Sequence, residues 1–248
     1  MDTLKYLARI SYQGPVPATL PGLRTLQAAH LRHVPFENLD IHLGRPIVLG
    51  QSFDKVVGQR RGGFCYELNT LFYELLLGLG FAVKLISGRV WGKNEQFGPE
   101  YDHLAIIARV EGRDYLVDIG FGDFAEGPLE LVLDVVQPDA RGDFRIIRHD
   151  AQYLLVQKLN NGAWEPEYLF SEQERVLEEF ADMCHYHQSS PNSPFTQKRV
   201  CSRPTPTGRI TFTNSRLLLT EHGQVSETLL QSENEVAEAL RQHFGVVL

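Results

Sequence analysis

Residues 60–80 read RRGGFCYELNTLFYELLLGLG. The paired glycines allow the backbone to turn sharply and to approach another surface closely. After Cys65, apolar side chains recur with the spacing of one helix face: Leu68, Leu71, Phe72, Leu75 and Leu76. Gly78 and Gly80 end this pattern. The stretch therefore predicts a tight turn followed by an amphipathic helix that begins at Cys65.

The sequence on either side of this stretch differs in pattern. Before it, Thr19 and Pro21 open a helical segment, which must end before Pro35 because proline disfavours helix at the preceding residue. After it, short apolar runs alternate with turn residues, which is typical of an antiparallel barrel or sandwich. The predicted strands cover residues 81–87, 103–110, 113–119, 129–133, 144–148, 153–159 and 168–170.

The last part of the chain mixes both kinds of element. A helix is expected with one apolar stripe made of Val176, Leu177, Phe180 and Cys184. Strands are predicted near residues 209–213 and 217–220. A final helix follows, because Ser232 and Glu235 have capping-box spacing before an apolar stripe.

These patterns predict an α+β protein in three parts that pack as one body. A helical region covers residues 1–80, a β-barrel-like region covers residues 81–170, and a linking helix with a smaller α/β unit covers residues 171–248. No repeat, low-complexity tract or long flexible linker separates the three parts.

Composition and charge exclude several classes of function. The chain has 248 residues, 43% of them hydrophobic and 22% charged, which excludes global disorder. Its 24 basic and 31 acidic residues argue against a protein built to bind nucleic acid or an anionic membrane. Neither a membrane span nor a signal peptide is visible. Three cysteines cannot all pair within one chain, so we expect free thiols and a cytoplasmic location.

Cys65 is a candidate nucleophile. A thiol in the first helical turn faces unpaired N–H groups and the positive end of the helix dipole, which favour the thiolate. The same N–H groups could stabilise an oxyanion on a bound carbonyl. The alternative is a small buried core residue, since Cys65 lies three positions before Leu68 and so could belong to the apolar stripe.

His103 and Asp118 are candidates for the base and for the group that orients it. If residues 111–112 form a two-residue hairpin loop, Asp118 lies opposite Ala105, and His103 is its diagonal neighbour on the same face. Asp102 competes for the orienting role but should point to the opposite face. That reverse face is apolar and would form the core: Leu104, Ile106, Ala108, Val110, Val117 and Ile119. The alternative is that both polar residues are ordinary strand-end residues.

Five ordered blocks of sequence together resemble the arylamine N-acetyltransferase family. They are PFENL at 35–39, RGGFCYE at 61–67, DHLA at 102–105, VDIGFG at 117–122 and SPNSPF at 190–195. The resemblance implies a helical region, a β-barrel-like middle and a C-terminal α/β lid, with a cysteine-protease-like arrangement of Cys65, His103 and Asp118. It also implies a ping-pong reaction, in which Cys65 takes an acetyl group from acetyl-CoA and passes it to an arylamine or hydrazine.

The resemblance further implies which residues line the acceptor pocket: Phe36, Phe121, Gly122 and Phe195. Aromatic side chains of this kind suit flat aromatic acceptors. Arg61 and Glu37 match an ion pair that positions the cysteine loop. The chain is short after about residue 200, so no residue is assigned to coenzyme A. No metal, nucleic acid or membrane partner is expected, and the oligomeric state is left open.

Three alternative functions remain open. A cysteine-dependent hydrolase or amidase could employ the same three residues, with water instead of an amine resolving the acyl-enzyme. An amide synthase of the same family would close a ring onto an aromatic amine. A metal or redox module could use Cys184, His185, His187 and Cys201, although their spacing matches no familiar zinc pattern.

Overall fold

The structure, a computed structural model, describes residues 1–92 and 94–248. Its helices are α1 (Thr3–Arg9), α2 (Leu20–His33), α3 (Leu39–His42), α4 (Cys65–Gly78), α5 (Ala181–Ser189), α6 (Pro194–Gln197) and α7 (Glu233–Phe244). Its strands are β1 (Phe36–Glu37), β2 (Ala82–Val90), β3 (His103–Val110), β4 (Arg113–Val117), β5 (Leu129–Glu130), β6 (Gln137–Asp139), β7 (Gly142–Arg148), β8 (Leu154–Asn160), β9 (Ala163–Phe170), β10 (Val200–Thr205), β11 (Gly208–Thr213), β12 (Arg216–Glu221) and β13 (Gln224–Leu229).

The predicted helix boundaries are confirmed where a capping residue marks them. The Thr19 hydroxyl accepts a hydrogen bond from the Gly22 amide at the start of α2, and that helix ends two residues before Pro35. Helix α4 begins at Cys65, as the double-glycine turn predicts. At the start of α7 the Ser232 hydroxyl accepts from the Glu235 amide.

The larger sheet has eight strands in the order β5-β4-β3-β2-β9-β8-β7-β6 and curls into a nearly closed barrel. Every neighbouring pair in this sheet with a described register is antiparallel. Apolar side chains of the inner face fill the barrel, among them Ile86, Phe144, Ile146, Val156 and Phe170. The predicted α+β class with a barrel-like middle is confirmed.

The β3–β4 hairpin has the register that its loop length predicts. Val110 pairs with Arg113, and the ladder continues to Ile106 opposite Val117, one residue before Asp118. The reverse face packs against α4, as expected, with Leu104 and Ile106 in the helical core. The other face is buried as well, with Ala105, Ile107 and Leu116 inside the barrel, which was not predicted.

The second sheet has the order β1-β10-β11-β12-β13, so the helical N-terminal region supplies its edge strand β1. A third core joins this sheet to α7 and includes Cys201, Ile210, Phe212, Leu240 and Phe244. Strands β6, β10 and β13 were not predicted, because β13 is exposed along its whole length and β6 and β10 each contain a proline.

One predicted helix begins later than its apolar pattern suggested. Val176 was expected on its buried stripe but is 58% exposed, because it lies before a 3₁₀ turn at Leu177–Phe180 that leads into α5. Phe180 and Cys184 are buried as predicted. Within the described part of the chain, none of the helices combines the length and apolar character that a bilayer crossing demands.

Candidate active site

The double glycine lets the cysteine turn pass directly against β1. A side chain at Gly62 would overlap the Pro35 carbonyl oxygen and the Glu37 side chain. The next residue, Gly63, accepts a hydrogen bond from the Glu37 amide at 2.9 Å through its carbonyl oxygen. The turn is therefore fixed by close backbone packing, which only a residue without a side chain permits.

Cys65 opens α4 at the wall of a large cavity and is itself 3% exposed. The Glu67 carboxylate accepts from the Phe64 amide at 3.2 Å and so caps the start of the helix. Burial raises the pKa of the Cys65 thiol well above its usual value, and the Leu104 backbone opposes this less strongly. Desolvation of the sulfur therefore acts against the thiolate, which the start of the helix is expected to favour.

His103 and Asp118 meet as the hairpin register predicts. His103 Nε2 lies 2.6 Å from Asp118 Oδ2, and both side chains are buried. A carboxylate only accepts, so Nε2 carries the proton and donates it to Asp118. Asp102 does not compete for His103: its carboxylate instead contacts His187 and the Val90 amide.

Three further donors hold the Asp118 carboxylate. The Asn69 amide group and the Gly120 backbone N–H both donate to Oδ1 at 2.9 Å, and the Tyr168 hydroxyl donates to Oδ2 at 3.1 Å. Every oxygen of the carboxylate is thus used, and its orientation toward His103 is fixed.

Asn69 and Tyr168 are site residues that the sequence analysis missed. Asn69 lies one helical turn after Cys65 on α4 and also donates to the Leu104 carbonyl at 2.6 Å. An amide side chain four residues after a candidate nucleophile lies on the same helix face, which was a readable signal. Tyr168 gave none, because it reaches Asp118 only through the pairing of β9 with β2.

The segment after Asp118 rests directly on the cysteine. A Cβ built on Gly120 would lie 2.7 Å from Cys65 Cα and 2.9 Å from Asn69 Nδ2. Glycine at this position therefore allows the end of the hairpin to approach α4 closely enough to bring Asp118 and Cys65 into one site.

The four residues expected to line the acceptor pocket lie around one cavity together with Cys65 and His103. The cavity has a volume of about 1130 Å³. Phe121 packs edge-on against His103 with ring centroids 5.1 Å apart, and the ring centroids of Phe36 and Phe195 lie 6.2 Å apart. Gly122 completes the set. Each of the four is partly exposed to the cavity or solvent, unlike the fully buried core aromatics.

A buried cluster of charges supports the cysteine turn from behind. Arg61 donates to Glu37 at 2.8 Å, the ion pair that the family resemblance implies, and also to Asp40 at 2.6 Å. Lys55 pairs with Asp40 at 2.8 Å and with Glu67 at 2.9 Å. Burial raises the pKa of Glu67 to about 7, with Lys55 acting against it. When Glu67 is protonated, the positive charges of Arg61 and Lys55 balance the negative charges of Glu37 and Asp40.

Replacing Arg61 by leucine is expected to destabilise the protein by about 3–5 kcal/mol, because Glu37 and Asp40 then lose the buried guanidinium and keep only Lys55 as a shared cation. Denaturant unfolding measures the loss. Arg60→Leu is the matched control, since the Arg60 side chain is exposed, and it should change the free energy of unfolding by less than about 0.5 kcal/mol. Equal stability of the two variants would show that the cluster does not stabilise the turn.

The residues of the suggested metal module do not converge. Cys184 packs in the helical core, Cys201 packs in the core beneath α7, and His187 contacts Asp102 and Ser193. Over residues 1–92 and 94–248, no group of three or more His, Cys, Asp or Glu side chains is arranged to hold a metal ion. All three cysteines lie within these ranges and have free thiols.

The chain is similar to known proteins over nearly its whole length. A family model described as N-acetyltransferase matches residues 19–248. Arylamine N-acetyltransferase 1 of Homo sapiens is 32% identical over 275 residues, covering 100% of this chain and 95% of the relative. The solved structure of the arylamine N-acetyltransferase of Salmonella typhimurium superposes with a TM-score of 0.92 at 28% identity, covering 98% of this chain and 90% of that chain.

A second solved structure is the arylamine N-acetyltransferase of Mycobacterium marinum in complex with CoA. It has a TM-score of 0.90 and 30% identity, and the match covers 99% of this chain and 93% of that chain. The agreement in sequence and in fold extends over nearly the whole chain. The protein is therefore a member of the arylamine N-acetyltransferase family.

Proposed function

We propose that the protein transfers an acetyl group from acetyl-CoA to the nitrogen of an arylamine, arylhydrazine or related acceptor, through a thioester on Cys65. One observation carries this proposal: Cys65 and His103 line the same cavity, and His103 is held at Nε2 by a carboxylate. Residues 1–80 then supply the nucleophile, residues 81–170 supply His103 and Asp118, and residues 171–248 close the cleft.

The first step is proton transfer from sulfur to imidazole. Because burial raises the pKa of the Cys65 thiol, the thiolate is stable only with a cation beside it. His103 donates through Nε2 to Asp118, so its Nδ1 is the nitrogen that receives the proton. The Asp118 carboxylate then stabilises the imidazolium.

Two acyl transfers follow. The Cys65 thiolate attacks the thioester carbonyl of acetyl-CoA, the backbone N–H groups at the start of α4 stabilise the oxyanion, and the CoA sulfur leaves with the proton from His103. The acceptor nitrogen then attacks the acetyl-cysteine. His103 takes the proton from that nitrogen as the Cys65 thiolate leaves.

The cavity suits an aromatic acceptor. Phe36, Phe121 and Phe195 offer ring faces and edges to a flat substrate beside Cys65 and His103. A cavity of about 1130 Å³ also has room for the thioester end of coenzyme A, which the Mycobacterium marinum relative binds. A reducing compartment such as the cytoplasm suits a free nucleophilic thiol. We expect foreign aromatic amines as acceptors and therefore propose a role in xenobiotic metabolism.

Incubation with acetyl-CoA alone is expected to add one acetyl group, an increase of about 42 daltons in intact mass, because the thioester persists until an amine arrives. Peptide mapping should place it on Cys65, and Cys65→Ala should show no adduct. Adding 5-aminosalicylate or isoniazid should remove the adduct and release the acetylated amine. Loss of the adduct in buffer, at a rate independent of amine, would indicate a hydrolase instead.

A further inference from the structure

A second histidine, His187 on α5, links two buried polar groups beside the site. Its Nε2 lies 3.1 Å from Asp102 Oδ1, and its Nδ1 lies 3.1 Å from Ser193 Oγ. His187 is 3% exposed and Ser193 is 0% exposed. The order Ser–His–Asp resembles a hydrolytic triad, but Ser193 does not line the cavity and so cannot attack a substrate there.

The Asp102 end of this link lies next to the proposed catalytic groups. Asp102 directly precedes His103, and its Oδ2 accepts from the Val90 amide at 3.3 Å. Its carbonyl oxygen accepts from the hydroxyl of Tyr66, the neighbour of Cys65, at 3.2 Å. Asp102 is therefore tied to β2 and α4, which fixes this end of the link to the barrel and to the cysteine helix.

The Ser193 end carries one wall of the acceptor pocket. The Ser193 hydroxyl caps α6 by accepting from the Phe195 amide at 3.2 Å. The His187 ring also packs directly on the Phe195 ring, edge to face, with centroids 5.0 Å apart. His187 thus positions Phe195 in two ways. It hydrogen-bonds Ser193, which caps the helix that carries Phe195, and its ring contacts the Phe195 ring.

Both ring nitrogens of His187 are already in use. The carboxylate of Asp102 accepts from Nε2–H, and Nδ1 lies 3.1 Å from the Ser193 hydroxyl, which also lies 3.2 Å from the His187 backbone carbonyl oxygen. No nitrogen is left to exchange a proton with a substrate. The role available to His187 is therefore to hold other groups in place, although part of its ring faces the cavity.

We propose that His187 is a positioning residue for the acceptor amine: it holds Phe195 at a fixed distance from the His103 end of the cavity. It sets how well the acceptor binds to the acetyl-enzyme and contributes little to acetylation of Cys65. This inference rests on the proposed function, because it assumes that Phe195 contacts the acceptor.

The test separates the two half-reactions. In His187→Leu, the amine concentration that gives half-maximal deacetylation of preformed acetyl-enzyme should rise about five- to tenfold, the effect of one or two lost hydrogen bonds. The rate of acetylation by acetyl-CoA should stay within about twofold. Asp102 tolerates the loss, since its side chain is 17% exposed and water can replace the imidazole.

Three further variants test which hydrogen bond of His187 matters and control for damage to the helix. His187→Asn can still bond Ser193 and should restore most of the amine affinity, whereas His187→Gln, whose amide reaches toward Asp102, should not. His185→Leu is the matched control, because His185 is exposed on the same helix and should behave like the unchanged protein.

Two results would overturn the proposal. One is an unchanged amine dependence in His187→Leu; the other is an equal loss in both half-reactions, which indicates general damage to the fold. Failure of the unchanged protein to form any acetyl-enzyme would instead overturn the proposed function, so the two failures are distinguishable.

Discussion

Replacing Asp118 by asparagine should lower the rate of acetyl transfer by about 10³- to 10⁴-fold while leaving the fold intact. Two N–H donors, from Asn69 and Gly120, point at Oδ1, so the oxygen of the new amide must occupy that position. Its NH₂ group then faces His103 Nε2 and donates to it. The remaining imidazole proton moves to Nδ1, which can no longer accept the proton of Cys65.

The measurements are the steady-state turnover number and the single-turnover rate of acetyl-enzyme formation, with thermal unfolding as the check on the fold. Asp114→Asn is the matched control, because Asp114 lies on β4, the strand that leads to Asp118, and its carboxylate forms a loose 3.9 Å ion pair with Arg109 near the surface. It should stay within about twofold of the unchanged protein. Full activity in Asp118→Asn would remove this carboxylate from the mechanism.

The parts of the site that the sequence predicted are those fixed by local structure. His103 and Asp118 are joined by a short hairpin, so loop length and the alternation of side chains determine that they share a face. The position of Cys65 at the helix start follows from the double glycine and the apolar spacing after it. Neither inference needs a contact between distant segments.

The parts that the sequence did not predict depend on distant segments or on burial. Tyr168 and His187 reach their carboxylate partners across 50 and 85 residues of chain, and no local pattern encodes such pairings. Strand β13 was missed because both of its faces are exposed and therefore lack apolar alternation. The direction of the Cys65 pKa depends on how deeply the sulfur is buried, which a helix terminus alone does not indicate.

Replacing His103 by alanine should slow alkylation of Cys65 by iodoacetamide near pH 7 by about 10²-fold or more, because no base remains to take the proton of a buried thiol. The pKa of that thiol is raised, so the thiolate is a small fraction at neutral pH and increases with pH. In the variant, the alkylation rate should therefore rise about tenfold per pH unit between pH 6 and 8. With His103 present, the thiolate–imidazolium pair should make the rate nearly independent of pH across the same range.

The reaction must be followed on Cys65 alone, by peptide mapping, because Cys184 and Cys201 are also free thiols. Both are buried and burial raises the pKa of each, so they should react slowly at every pH and serve as internal references. His33→Ala, which removes an exposed imidazole on α2, should leave the rate at Cys65 unchanged. If His103→Ala kept both the rate and the flat pH profile, the sulfur would have to be ionised by the start of α4 alone. The dipole and free N–H groups of the helix would then outweigh desolvation, and His103 would act only on the acceptor nitrogen.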